Sequence, residues 1–404
     1  MNRYDVVIVG GRIAGASTAL LLAREGARVA VVERGRRGSD TVSTHGLMRA
    51  GVLQLSRWGL LDRVVAAGTP PILRTVFQYP DGERVTVSIR RSPGVDALYA
   101  PRRTVLDRIL VDAAEEAGAH FMPETTVTSL LEGTDGRVRG VVAQDARGAR
   151  RQIEGAFTVG ADGIRSVVAH HVGAGVLRQG RNASATLYRY VQGLPVDDYA
   201  WVYGDRAAAG LIPTNAGDTC VFVSTTPTRM RELRRSGREQ AFAALLGSAA
   251  PELVDQVLVS TEQTPMRGWG GLPGWVRQSW GPGWALVGDA GYFKDPITAH
   301  GITDGLRDAE LLANGILDTL GGQTAEAVAL SSYQTTRDRL STQFRAVTEE
   351  VAGFDWDAGQ ARELLRIVSS AMSDEVDHLQ ALPERHLGPG MAAFLPTDKL
   401  NRAG

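Results

Sequence analysis

Apolar and polar positions first fall into a strand–helix–strand rhythm. Val6-Val7-Ile8-Val9 is an unbroken apolar run, the pattern of a strand buried on both faces of a parallel sheet. A glycine-bearing turn occupies Gly10 to Gly15, and the next stretch, Ala16 to Arg24, is rich in alanine and leucine, which favour helix. Gly26 suits the helix stop, and Arg28 to Val32 reads as a second buried strand ending at Glu33. Together these make a βαβ unit in about thirty residues.

Further on, residues 47–66 predict a helix with Leu47, Val52, Leu55 and Leu60 or Leu61 on one face. Residues 73–90 alternate as strands do, with Pro80-Asp81-Gly82 as a hairpin turn. Arg103 to Ala117 predicts an amphipathic helix. Residues 120–160 read as strands broken at Gly133-Thr134-Asp135-Gly136 and Asp145-Ala146-Arg147-Gly148. The aromatic and β-branched stretch 182–225 predicts several antiparallel strands, and Trp284-Ala285-Leu286-Val287 one more buried strand. After Pro296 the pattern is mostly helical.

The chain has 404 residues, more than the ~250–300 at which one core stops growing, so two or three lobes are expected. A net charge of −1 gives no field to draw in nucleic acid or anionic lipid. Lys294 and Lys399 are the only lysines, so the basic charge is almost all arginine. Cys220 is the sole cysteine, which excludes an intrachain disulfide and fits a reducing cytoplasm. The first residues run straight into a strand pattern, so no signal peptide is expected. No run of about 20 apolar residues offers a membrane span. The seven histidines form no HExxH pattern and cysteine has no pair, so no metal is expected.

Candidate chemistry begins at Gly10-Gly11-Arg12-Ile13-Ala14-Gly15. A dinucleotide fingerprint places glycine first, third and sixth: for the tight turn, for backbone approach to the pyrophosphate, and for close helix–strand packing. The helix start then offers free N–H groups to phosphate. Arg12 stands at the middle glycine position, so its side chain must point away from the pyrophosphate or pair with it. Glu33, followed by Arg34, lies at the ~20-residue distance of an acid that takes hydrogen bonds from ribose hydroxyls. That acid favours FAD or NAD over NADP in this site.

Two later motifs bear on which dinucleotide is bound. One is Gly160-Ala161-Asp162-Gly163-Ile164-Arg165-Ser166; the other is Gly288-Asp289-Ala290 followed by Pro296, Gly301 and Gly305. With the opening turn they span about three quarters of the chain, which resembles the single-component FAD monooxygenases of the aromatic-hydroxylase type. It is also similar to their relatives, the flavin halogenases and geranylgeranyl reductases. The resemblance implies that Asp162 supports the FAD site and that Asp289 contacts the ribityl chain. It implies further that the turn after Pro296, with Gly301 and Ile302, opens a helix aimed at the flavin. A helix start stabilises negative charge on reduced flavin. Ala299 replaces the family's first glycine of that turn, and Thr303 its asparagine. By the same resemblance Arg103 sits near FAD at a helix start, Val127 touches adenine through its backbone, and the loop Asp40 to Gly46 lies by the flavin with His45.

The fold class implied is α/β: a Rossmann-like FAD-binding domain (1–72, 98–177 and 277–321), an inserted antiparallel-sheet substrate domain (73–97 and 178–276) and a helical C-terminal region (322–404). The activity implied is hydroxylation or epoxidation of a small aromatic or unsaturated organic substrate. NADPH or NADH transiently reduces FAD, O2 adds at flavin C4a, and the hydroperoxide transfers oxygen. Such a protein would act in the cytoplasm, in natural-product biosynthesis, as a monomer or homodimer. Candidate catalytic side chains are His45, Tyr292, Lys294 and His300. A halogenase is disfavoured because Trp269 to Trp280 does not carry the Trp-x-Trp-x-Ile-Pro signature. A geranylgeranyl-type reductase and a non-catalytic flavin-binding protein stay open as alternatives.

Overall fold

A computed structural model describes residues 3–260 and 263–383. The end of the expected helical region, 384–404, lies outside them.

The first sheet runs Trp280–Gly281, Trp284–Leu286, Arg150–Gly160, Arg3–Val9, Val29–Val32, His120–Met122, with Thr126–Glu132 and Val138–Gln144 attached as a ribbon on Arg150–Gly160. Its centre is parallel: Val6 pairs with Val29 on one side and Phe157 on the other. Val6, Val7 and Ile8 are fully buried, as the unbroken apolar run predicted. The opening helix Ile13–Arg24, helix Arg103–Glu116 and the long helix Gly301–Leu320 pack as one layer on this sheet.

The second sheet runs Arg267–Trp269, Ala185–Gln192, Asp218–Thr225, Ala207–Pro213, Tyr199–Gly204, Arg74–Gln78, Arg84–Ser88. It is antiparallel except where Tyr199–Gly204 meets Arg74–Gln78 in parallel, Trp201 beside Phe77. The two segments come from distant parts of the chain, so no hairpin dictates their direction. A small third sheet joins Val176–Gln179, Trp275–Arg277 and Tyr292–Phe293.

The helix predicted over 47–66 is two helices, Arg49–Arg57 and Leu61–Ala66. Gly59 takes φ +69° between them, where glycine is at ease. Beyond the long helix, Glu326–Val351 packs on it and Ala358–Ala381 packs on Glu326–Val351. The corner between these two helices drives Phe354, also left-handed at φ +54°, into the core facing the second sheet. Among the described residues no helix is long and apolar enough to cross a membrane.

Candidate active site

The opening turn is built for close approach. Gly10 takes φ +100°, and a Cβ there would lie 2.4 Å from the Ala161 carbonyl oxygen. A Cβ on Gly15 would lie 1.9 Å from the Gly10 carbonyl oxygen. Arg12 resolves its conflict by turning away: it donates to the Ser39 carbonyl (3.2 Å), the Ser39 hydroxyl (3.0 Å) and Asp107 (2.9 Å). Asp107 also accepts from Arg103 at 2.9 and 3.2 Å. Two guanidinium groups therefore share one carboxylate beside the turn, leaving one positive charge uncompensated within the trio.

Glu33 accepts from the Gly11 N–H (2.7 Å) and the Gly35 N–H (2.6 Å), so its carboxylate sits at the lip of the turn. It borders a small cleft that Arg12, Asp107, Val111, Phe121 and Pro123 help to line. Arg34 is exposed. Val127 is buried in the core and pairs with Ala143; its strand is tied to the turn by Thr125 N–H donating to the Glu33 carbonyl (3.0 Å).

The third motif lies against the opening helix: a Cβ on Gly288 would lie 3.0 Å from the Ala14 methyl. Ile13 and Ile302 are buried nearby, in one core. Asp289 is solvent-exposed but has protein packed closely around it. That enclosure pushes its carboxyl up to about 6, with Asp304 adding to the rise and Arg103 and Lys294 opposing it. Pro296 opens a single tight turn ending at Ala299, which keeps the glycine-like left-handed backbone at φ +49°. Gly301 then starts the long helix in the open, with nothing within 4 Å of a Cβ there, although the next twelve residues are all buried. Thr303 accepts from the Met48 N–H (3.2 Å) and ties this helix to the loop bearing His45.

Asp162 has a structural use. Its carboxylate accepts from Ser166 Oγ (2.5 Å), Val167 N–H (2.6 Å) and Val168 N–H (3.3 Å), capping the short helix Val167–His171. Burial raises its pKa against those bonds. Gly163, at φ +76°, lies next to the Gly288 turn.

These residues fit FAD: an acid and apolar walls for the adenosine end, a glycine turn with surplus positive charge for the diphosphate, and an enclosed carboxylate beside an open helix start for the flavin end.

The four catalytic candidates fall into two separate networks. His45 is buried in a left-handed backbone at φ +66°. Its Nε2 is hydrogen-bonded to the Tyr190 hydroxyl, and its Nδ1 has no partner. Burial, then the charges of Arg103, Arg102 and Arg267, hold its pKa well below the usual histidine range, so the ring is neutral. Arg102 lies 3.5 Å from the centre of the Tyr190 ring, and Arg267 pairs with Asp40 at 2.9 Å.

Tyr292, Lys294 and His300 belong to a buried charge cluster. Lys294 pairs with Asp304; Arg307 pairs with Asp304 (3.0 Å), Asp308 (2.7 Å) and Glu375 (2.8 Å); His300 Nε2 meets Glu375 at 2.6 Å. Burial lowers the pKa of Lys294 and raises that of Tyr292. His300, Asp304 and Glu375 could converge on a metal, but Lys294 and Arg307 already neutralise both carboxylates.

Sequence reasoning missed Tyr190 as the partner of His45, and missed Glu375 altogether. The signal for Glu375 was an acid on the apolar stripe Ala371–Glu375–Leu379, at four-residue spacing.

Facing this region, the second sheet presents an aromatic wall: Tyr188, Tyr190, Tyr199, Trp201, Tyr203 and Phe222 share a core with Met48, Ile297 and Ala299. Trp201 and Phe222 are 5.4 Å apart, and the Phe222 ring occupies the space a Cβ on Gly210 would need. Trp269 and Trp275 lie elsewhere, against Phe293.

A dinucleotide turn, an enclosed acid and an open helix start on one scaffold define a flavin-dependent oxidoreductase. Residues 3–348 match the FAD binding domain family, and the chain belongs to it. Among curated proteins it is 29% identical over 227 residues to Protein FixC of Escherichia coli O157:H7, covering 53% of this chain and 50% of that protein. The chain thus spans about half the length of that relative. It is 26% identical over 352 residues to the digeranylgeranylglycerophospholipid reductase of Methanothrix thermoacetophila, covering 82% of each. Among solved structures it resembles Pseudomonas aeruginosa PqsL in complex with 2-aminobenzoylacetate, with TM-score 0.78 and 23% identity over 90% of this chain and 100% of that one. The myxobacterial chondrochloren halogenase CndH has TM-score 0.75 and 20% identity, covering 94% and 96%. At these identities the two structures share the fold.

Proposed function

We propose that this protein is an FAD-dependent monooxygenase that hydroxylates or epoxidises a small, flat aromatic or unsaturated organic substrate, using O2 and NADPH or NADH. The observation that carries the reading is the aromatic wall facing His45 and the start of the long helix. Bound FAD would supply the redox chemistry, carrying reducing equivalents from the nicotinamide to oxygen.

The chain's part is to hold and to exclude. Trp201 and Phe222 stack on a planar substrate and keep water out, while Tyr190, covered by Arg102, holds His45. The long helix directs its positive end at the cofactor. His45, neutral and with a free Nδ1, takes or returns a proton at a substrate oxygen. On the same reading 73–97 and 178–276 form the substrate lobe, 1–72, 98–177 and 277–321 the cofactor lobe, and the protein works in the cytoplasm as a monomer or homodimer.

The match along 82% of the archaeal reductase supports a second reading, reduction of a carbon–carbon double bond. One experiment separates them. Purified protein with FAD is offered planar phenols, 2-aminobenzoylacetate and isoprenoid lipids, and scored for NADPH oxidation and oxygen-18 in the product. A monooxygenase incorporates the label and stops without oxygen. Anaerobic turnover with no label incorporated would replace it with the reductase.

A further inference from the structure

The turn Pro296–Gly301 is shaped from behind as well as from the cofactor side. On its near side Asp295 accepts from the Ser184 N–H and hydroxyl (each 2.6 Å) and caps Ile297 (2.9 Å). Behind it, Thr298 and Thr348 bring their hydroxyls within 3.2 Å. His300 precedes Gly301 directly, and its ring is buried with edge-on contact to Phe344, 4.5 Å between ring centres. Its one hydrogen-bonded nitrogen goes to Glu375, on Ala358–Ala381. Glu375 spends its other oxygen on Arg307, two turns into the long helix. One carboxylate thus holds the residue just before that helix and, again, the helix's flank.

Around Glu375 stand His300, Asp304 and Arg307 from the long helix and its start, Lys294 from the preceding loop and His378 from its own helix, while Asp308 and Ser341 hold Arg307 and Arg337 acts on Asp308. Among them Glu375 is held ionised, its carboxyl pulled below the usual carboxylate range by His300 and Arg307 against the effect of burial. A buried acid this engaged fixes the orientation of what it binds.

We propose that Glu375 is a positioning residue for FAD: through His300 it sets the backbone of the cofactor-facing turn, so that cofactor affinity depends on a helix that does not border the glycine turn. The proposal rests on the reading that the Gly301 end of the long helix faces the flavin.

The test measures FAD binding to the full-length apo-protein by flavin fluorescence quenching, together with the visible absorption bands of the bound flavin. Glu375→Gln is close to isosteric but lacks the charge, and it offers one acceptor oxygen where two are used. It is expected to weaken FAD binding about tenfold, the effect of one charge-assisted bond lost at a buried site, and to shift the flavin bands. Asp357→Ala removes the capping box at the other end of the same helix; it should loosen that helix and leave affinity and spectrum within about twofold of the parent. In a double-mutant cycle, His300→Gln with Glu375→Gln should be no worse than the more damaging single variant, because both act through one contact.

Glu375→Gln with unchanged affinity and spectrum would overturn the proposal, as would additive losses in the cycle or an equal loss from Asp357→Ala. Gly301→Glu checks the underlying reading, since it sets a carboxylate at the open helix start without a clash. If FAD binding survives it, the placement of the flavin falls and takes the proposal with it. If Gly301→Glu abolishes binding while Glu375→Gln does not weaken it, the proposal falls alone.

Discussion

Gly15→Ala tests the cofactor turn at its tightest point. The new methyl carbon would stand 1.9 Å from the Gly10 carbonyl oxygen, 3.0 Å from its carbon and 3.1 Å from the Ala161 methyl. A comfortable carbon–oxygen contact is about 3.3 Å, so helix and strand must part by roughly 1.4 Å along that line. Neither can yield cheaply: Ala16, Ala19 and Leu20 on the helix and Val7 and Ile8 on the strand are fully buried. Overpacking of this kind costs about 1–3 kcal/mol, and a clash of backbone with a new Cβ belongs at the upper end. The same displacement carries the first helical N–H groups away from the diphosphate. Losing one or two charge-assisted bonds of about 1.5–3 kcal/mol each should weaken FAD binding by at least about tenfold. The assay is fluorescence titration of apo-protein with FAD, beside thermal unfolding with and without the cofactor. Gly247→Ala, inside helix Arg238–Ala249 with its nearest neighbour 3.9 Å away, is the control; it should stabilise by about 0.5–1 kcal/mol. If Gly15→Ala binds FAD as tightly as the parent and melts with it, the close-approach argument is wrong.

Arg12→Ala should free the loop at Ser39, seen as faster amide exchange over 34–46. The stability loss should stay within about 1 kcal/mol, because Arg12 is one-third exposed. Tyr190→Phe leaves both ring nitrogens of buried His45 without partners, and the denaturant midpoint should fall by an amount equivalent to about 1–3 kcal/mol; an unchanged midpoint would refute the pairing. Burial raises the Asp295 carboxyl to about 6 from 3.8. A raised carboxyl means the folded state holds its proton longer, so this group makes the protein less stable as pH climbs from about 4 to 6. The swing is about 3 kcal/mol. Asp295→Asn should flatten that part of the stability–pH curve, and a slope identical to the parent's would count against it.

The cofactor half was the legible half. A parallel strand buried on both faces announces itself as an apolar run, and a tight turn needs glycine where chain meets chain, so the strand Val6 to Val9 and the close approaches at Gly10 and Gly15 were legible in the letters. Arg12 and Ala299 looked like departures. In both, the backbone keeps the required path and the side chain adapts: Arg12 swings to Asp107, and Ala299 accepts a left-handed conformation. What did not show was long-range pairing. Nothing local to Tyr190 names His45 as its partner 145 residues away. Nor does the sequence show that Asp162 accepts three hydrogen bonds at the start of the short helix Val167–His171. The break at Gly59 was missed because apolar spacing continues across it.

The parallel seam between Arg74–Gln78 and Tyr199–Gly204 has a consequence for how the molecule is made. Thr75 must wait for Tyr199, and Val6 for Phe157, before either strand has its second partner. On the ribosome each early strand finds one mate soon, Val29 for Val6 and Val87 for Thr75, but its other hydrogen-bonding edge stays open for well over a hundred residues. Such non-local pairing makes for slow acquisition of structure and a long interval open to aggregation. The chain should refold sluggishly from denaturant, and its yield in cells should respond to chaperone supply more than that of a helical protein of equal length.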